Sequence, residues 1–543
     1  MNFRLSCGLL GALSLVACVN DATGDAADEI GSETATTSES ESGSTSESSS
    51  SDTSSDASSS DSSDTSSSDS SGSDSTDSTD STDSSGADST SSDSTDTGDP
   101  PPDCAALEYA PPATTIDGLP AVPIDILALE ASMNFDLASN QAQVEVTMTF
   151  QLGPDAGMPI FDLRQTIGEA ELDGQVFDTA MIQSHTFGKG EIYGFRILAE
   201  NLEPCSVHTL WLSYSLGLPN APAAGGFSWA EGPDRVYFDT WLSDLNPGRY
   251  LESWLPANLP FDRHPLSLGL TLVGAGAAHT LITNATFDAL AEHDWQLEFP
   301  DSMSAMAPLI VVVPSEEVSV VSGIHAAANG QDIPYSVYRH QSVATPIATF
   351  ETNLRAYIDE FVLSTGDFEH PAMTVYIGAG LRSMEYDGAL TTKPSDLEHE
   401  AFHSWWARGV HPATYADGWI DEAWDMYNTT IGLSFTSEPF NWNDPPQELF
   451  DPHPFARDTP DIAYTVGRRV FAGLGAILGV APLRAAMADL YASIPPLGSL
   501  TTAELERHLY CTGGESAEVR QAFWRFVYAN AGQAPAPPLD YCG

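Results

Sequence analysis

The chain changes its hydrophobic period along its length. From about Ile124 to Val320 apolar and polar residues alternate, as in Gln143-Val144-Glu145-Val146-Thr147-Met148-Thr149-Phe150 and Thr209-Leu210-Trp211-Leu212-Ser213-Tyr214. A period of two, punctuated by Gly, Pro and Asn, predicts antiparallel sheet with one face on a core. After about Pro334 the spacing lengthens, and helices are predicted at Phe350–Val362, Asp396–Arg408, Trp419–Leu433, Ala463–Leu478 and Val519–Ala529, with a strand at Met373–Ile377. Toward the other end there is no period at all. No aliphatic side chain larger than alanine lies between Ile30 and Leu107, so nothing there offsets the entropy of ordering the backbone. The pattern predicts a multidomain α+β chain, with a disordered segment at 18–103, an antiparallel β domain at 104–335 and a mostly helical domain at 336–543.

Residues 1–17 begin with Met1-Asn2-Phe3-Arg4 and run on as an apolar stretch through Leu13 and Leu15. A charged start and a short apolar core describe a secretory signal, and the core is too short to span a bilayer. Leu15-Val16-Ala17-Cys18 resembles the lipobox of bacterial lipoproteins. That resemblance implies acylation at Cys18 and anchoring at a bacterial outer membrane or cell surface; an ordinary signal peptide containing a cysteine is the alternative.

Charge sharpens this division. The 543 residues carry a formal charge of -58, and residues 19–103 hold 22 acids and no Lys or Arg. A flexible segment of that length spans roughly 50 Å, more with its aspartates repelling one another, and suits a solvated tether better than a calcium site. The remaining body is acidic in its own right, with Lys189 and Lys393 as its lysines. Secretion and salt adaptation both account for that. A polyanion is repelled by phosphate backbones, which excludes nucleic acid as a partner. Four cysteines follow the tether, Cys104, Cys205, Cys511 and Cys542. In an exported chain they suggest two disulfides, and of three connectivities the simplest joins Cys104 to Cys205 and Cys511 to Cys542.

The chemistry concentrates in Ser395-Asp396-Leu397-Glu398-His399-Glu400-Ala401-Phe402-His403. Ser395 and Glu398 read as a capping box that starts a helix. His399 and His403, four apart, then project from one face and can hold one zinc ion, with Glu400 beside them as general base for a water at its open position. A catalytic site needs a third protein ligand, and Glu422, with eighteen residues between it and His403, supplies it from the next helix. Asp425, one turn on, either orients a ligand histidine or is solvated. Trp405, Trp406, Trp419, Trp424 and Tyr427 read as packing around the site.

This motif and spacer resemble the gluzincin zinc metallopeptidases, and more narrowly the aminopeptidase N family. Other segments fit in order: Arg249-Tyr250-Leu251-Glu252-Ser253-Trp254-Leu255-Pro256 and Leu281-Ile282-Thr283-Asn284 in the β domain, Ser383-Met384-Glu385-Tyr386 for the Met-Glu exopeptidase motif, and Tyr464-Thr465-Val466-Gly467 for the catalytic tyrosine segment. The resemblance covers about residue 120 to the end. It implies a thermolysin-like catalytic domain binding one zinc ion, Tyr464 donating to the oxyanion, and Glu385 pairing with a substrate's α-ammonium, which selects N-termini.

The sequence also departs from the family. Arg382 stands where the family has glycine before Met-Glu, Val466 where it has lysine, and Ala423 where it has glycine after the zinc glutamate. The gap from Glu385 to His399 is short, and the chain stops where the family's catalytic domain usually ends, which predicts a more open cleft. The expected protein is a monomeric, lipid-anchored zinc aminopeptidase acting on peptides. The alternatives are a zinc endopeptidase, a glycyl aminopeptidase, or a surface binding protein with an idle peptidase fold; an epoxide-hydrolase side activity is more remote.

Overall fold

The computed structural model describes residues 104–542 apart from 105–106, 108–112, 117, 140, 186–194, 218–234, 240–249, 259–261, 303, 305–307 and 452–458. The signal, Cys18, the acidic segment and Arg249 lie outside the described residues.

The alternating half is a large sheet built around one long strand, Leu119–Asp136. It pairs antiparallel with Gln141–Leu152, which pairs antiparallel with Val207–Ser215. The period of two is realised as expected: Val144, Val146, Met148, Phe150, Leu210, Leu212 and Tyr214 are all buried in one core. On its other edge Leu119–Asp136 takes Leu266–Val273 in parallel, and it also takes Met158–Phe161 in parallel. The sheet is therefore mixed, not antiparallel throughout. Alternation encodes which face is buried but not the direction of a neighbour far along the chain. A smaller sheet of Phe238–Asp239, Ile310–Pro314 and His279–Thr283 contributes to the same core.

A second sheet carries the strands Val318–Ala326, Asp332–His340, Met373–Ile377, Ala389–Thr392 and Met384–Tyr386, in that spatial order. The first of these strands precedes the change of period near residue 335 and the second runs across it, because their alternation continues the pattern of the β half. The helix α1 (Ile347–Ser364) is the crossover that lets Met373–Ile377 run parallel to Asp332–His340. The edge strand Met384–Tyr386 returns along Ala389–Thr392 through a tight turn at Gly388, whose φ is +63°. A Cβ there would lie 2.6 Å from the carbonyl oxygen of Ala372, so the turn requires glycine.

The helices that follow are α2 (Leu397–Phe402), α3 (Trp419–Asn428), α4 (Arg468–Leu478), α5 (Val480–Ser493), α6 (Thr502–Thr512) and α7 (Ala517–Phe526). They share a second core with the sheet, in which Trp405, Trp406, Trp419, Trp424 and Tyr427 are buried as expected. Two readings are corrected. Ser395 and Glu398 form no capping box: Ser395 donates to Asp396, and the Glu398 carboxylate accepts from Thr430 instead. The helix predicted to reach Arg408 stops at Phe402. Two adjacent tryptophans are buried against different partners, Trp405 on Phe361 and Phe368 and Trp406 on Trp424 and Tyr491. Ala407, at φ +98°, then turns the chain back. Both disulfides, Cys104–Cys205 and Cys511–Cys542, are formed as expected.

Candidate metal centre

α2 ends at Phe402 with His403 as its C-cap, and α3 packs against it, so the imidazoles of His399 and His403 meet a row of carboxylates from α3. Asp421, Glu422 and Asp425 share one face of α3 because residues three and four apart are neighbours on a helix. The three sequence-predicted ligands converge. His399 Nε2 lies 3.3 Å from His403 Nε2, and Glu422 Oε2 lies 3.5 Å from the first and 3.7 Å from the second. Tetrahedral zinc with bonds of about 2.0–2.1 Å separates its ligands by about 3.3–3.4 Å, close to the triangle found here.

The far side of each ring is also occupied. Asp425 Oδ1 lies 2.7 Å from His399 Nδ1, and Asp421 Oδ1 lies 2.6 Å from His403 Nδ1. Asp425 Oδ2 in addition comes within 3.3 Å of His403 Nε2. A carboxylate on Nδ1 fixes the ring's orientation and leaves Nε2 as the metal-facing nitrogen. All five side chains are buried. Burial works against a charged His403, but Asp421, Asp425, Glu385 and Glu422 outweigh it and pull its pKa well above the ordinary histidine value. So much buried negative charge calls for a cation, and the donor set of two imidazoles and a carboxylate suits zinc.

The remaining predicted residues lie around this triangle. Glu400 is buried on α2 beside His399. Tyr464 stands on a π-helical turn, Ala463–Gly467, and its hydroxyl donates to Glu422 Oε1. That turn sits close on α3: a Cβ on Gly467 would come 2.6 Å from that of Ala423. Glu385, on the edge strand, is 3% exposed, and its Oε1 accepts from Arg408 Nη2 at 2.5 Å. Burial favours the neutral carboxyl, yet the guanidinium holds Glu385 below the ordinary glutamate value.

Sequence reasoning missed Asp421 and Arg408 and left Asp425 undecided. The positions of Asp421 and Asp425 on the Glu422 helix carried a usable signal, since residues one and three away flank the ligand. Arg408 gave none, because its place depends on the turn after Phe402.

A β-rich half followed by a helical half bearing this His/His/Glu cluster is the thermolysin-like architecture, and the fold is that of the M1-type gluzincin metallopeptidases. No family model and no curated protein matches the sequence. Among solved structures the chain resembles a mutant of the M1 zinc metallopeptidase from Deinococcus radiodurans bound to a Tyr-Ser-Ala substrate, with a TM-score of 0.54, 15% identity, and coverage of 78% of this chain and 99% of that one. It also resembles leukotriene A4 hydrolase from Saccharomyces cerevisiae (TM-score 0.54, 15% identity, 79% and 71% covered). A third is aminopeptidase A from Legionella pneumophila in complex with aspartic acid (TM-score 0.55, 11% identity, 79% and 50% covered).

Proposed function

We propose that this chain is a zinc metallopeptidase that hydrolyses peptide bonds. The observation that carries the reading is the buried triangle of His399, His403 and Glu422, with Asp425 and Asp421 behind the two rings. The resemblance to a metallopeptidase bound to a three-residue substrate supports peptides as the substrate class.

When bound to these three donors, zinc supplies a Lewis-acidic charge that polarises a carbonyl and brings the pKa of water to about 7. The chain's own residues do the rest. Glu400 takes the proton of the attacking water on its carboxylate and returns it to the leaving amine. Tyr464 donates its hydroxyl proton to the developing oxyanion, for which it exchanges the Glu422 carboxylate as acceptor. Asp425 and Asp421 keep both imidazoles oriented.

Export and lipid anchoring belong to the same proposal, supported by Leu15-Val16-Ala17-Cys18 and the acidic segment after it. The expected setting is a bacterial surface or outer membrane. An N-terminal exopeptidase mode rests on Glu385 alone.

Metal analysis and peptide turnover of the full chain test the proposal. One zinc per chain is expected, with activity lost to a chelator and restored by zinc. Glu400→Gln should lower turnover by about 10²–10⁴-fold while the zinc content stays the same. A metal-replete wild type no more active than Glu400→Gln would refute the hydrolase and favour an idle binding protein.

A further inference from the structure

Resting on the peptidase reading above, the state of Glu385 bears on which peptides the site accepts. An exopeptidase of this kind needs a carboxylate open to an incoming ammonium. Here the Glu385 carboxylate is already held by a guanidinium, and both partners are nearly inaccessible, at 3% exposure for Glu385 and 1% for Arg408.

The arrangement is built by the backbone. After Phe402 the chain turns through Ala407, Arg408 N–H donates to the carbonyl of His403 at 3.0 Å, and the guanidinium reaches the Glu385 carboxylate. Glu385 approaches from the edge strand. Its carboxylate shares a neighbourhood with Asp421 and His403, their polar atoms lying within 4.8 Å of one another. The turn below it is pinned by the β half: Ser304 N–H donates to Asp387 Oδ2 and Asn284 Nδ2 donates to the Asp387 carbonyl, both at 2.8 Å. The influence of Arg408 extends past its partner. His370 and His411 are pushed below the ordinary histidine value by burial, helped by Arg408 and Arg263.

An ammonium reaching Glu385 would have to separate a desolvated ion pair or share one carboxylate with a second cation a few ångströms away. A neutral peptide group meets neither obstacle. We propose that Arg408 sets the substrate class: by neutralising Glu385 it makes the cleft accept peptide chains that carry no free α-ammonium at that point, so that cleavage falls inside a chain and not at its N-terminus.

The test measures binding separately from turnover. Matched short peptides with a free and an acetylated N-terminus are titrated calorimetrically into the zinc-loaded full chain carrying Glu400→Gln. The two affinities should agree within about threefold. Arg408→Met should then favour the free-amine peptide by about tenfold or more, adding Glu385→Gln should cancel that gain, and Arg408→Lys should keep the original ratio. Should Arg408→Met not fold, Glu385→Gln with Arg408 intact decides the matter, and it should leave the ratio unchanged. The proposal is overturned if the Arg408-containing protein prefers the free amine by about tenfold and Glu385→Gln removes that preference. A folded, zinc-loaded Arg408→Met with an unaltered ratio overturns it as well, as does binding of neither peptide. Failure of the wild type to cleave either peptide while these ratios hold would refute the peptidase reading alone.

Discussion

Asp421 Oδ1 lies 2.6 Å from Nδ1 of His403, on the opposite side of the ring from the nitrogen that faces Glu422. The carboxylate orients the ring and makes Nε2 a better donor. Asp421→Asn keeps the shape and removes the charge. Zinc affinity, measured by competition with a chelator, should fall about 10–100-fold. Asp425→Asn should behave alike through His399, and an unchanged affinity in both would show that these carboxylates do not support the metal.

Tyr464 reaches the centre only because Gly467, three residues on, lets the π turn sit against Ala423. Gly467→Ala places a methyl group where there is no room, and should lower stability by about 1–3 kcal/mol and depress turnover as Tyr464 is displaced. Tyr464→Phe leaves the packing alone. It should reduce kcat about 10²–10³-fold with little change in KM or thermal midpoint. Equal losses of stability in the two variants would argue that Tyr464 is a structural residue.

Asp387 provides a pH signature away from the ligands. Burial pushes its pKa up to about 6, against the opposing pull of Arg408, the Ser304 N–H and Arg263. A carboxyl raised in the folded state contributes its stability below the unfolded value near 4, and that contribution is lost as the pH rises through 6. At about 1.4 kcal/mol per pH unit the whole effect is on the order of 3 kcal/mol. Asp387→Asn should therefore be more stable than the wild type at pH 8, with the advantage shrinking toward pH 4. Urea unfolding at the two pH values checks this, and a difference independent of pH would contradict it.

The metal triangle was legible because its logic is local. Two histidines four apart and a glutamate on the next helix need only helical periodicity to share a face, and the buried faces of Gln141–Leu152 and Val207–Ser215 needed only a period of two. What escaped depended on contacts between distant segments. Parallel pairing of Leu266–Val273 with Leu119–Asp136 is decided by topology, not by the side chains of either strand. The early end of α2 comes from two tryptophans buried on different neighbours. Arg408 therefore read as the last turn of a helix when it in fact lies against Glu385. α5 was missed because it follows α4 after Gly479 alone, at φ +88°. α6 did carry a signal, the capping box of Thr501 and Glu504, that the reading passed over.

The hairpin Val318–Ala326 and Asp332–His340 ties the helical half to residues that look, by pattern, like the end of the β half. Cutting the chain at the change of period would split Asp332–His340, strip what remains of it of its antiparallel partner Val318–Ala326 and leave a bare strand edge, the kind of surface that recruits other chains. Severing the β half would also take away Asn284 and Ser304, which grip the turn after Glu385. The β half thus serves as the bracket that holds one side of the candidate metal centre, and a helical half freed from it would lose its shape from the edge strand inward.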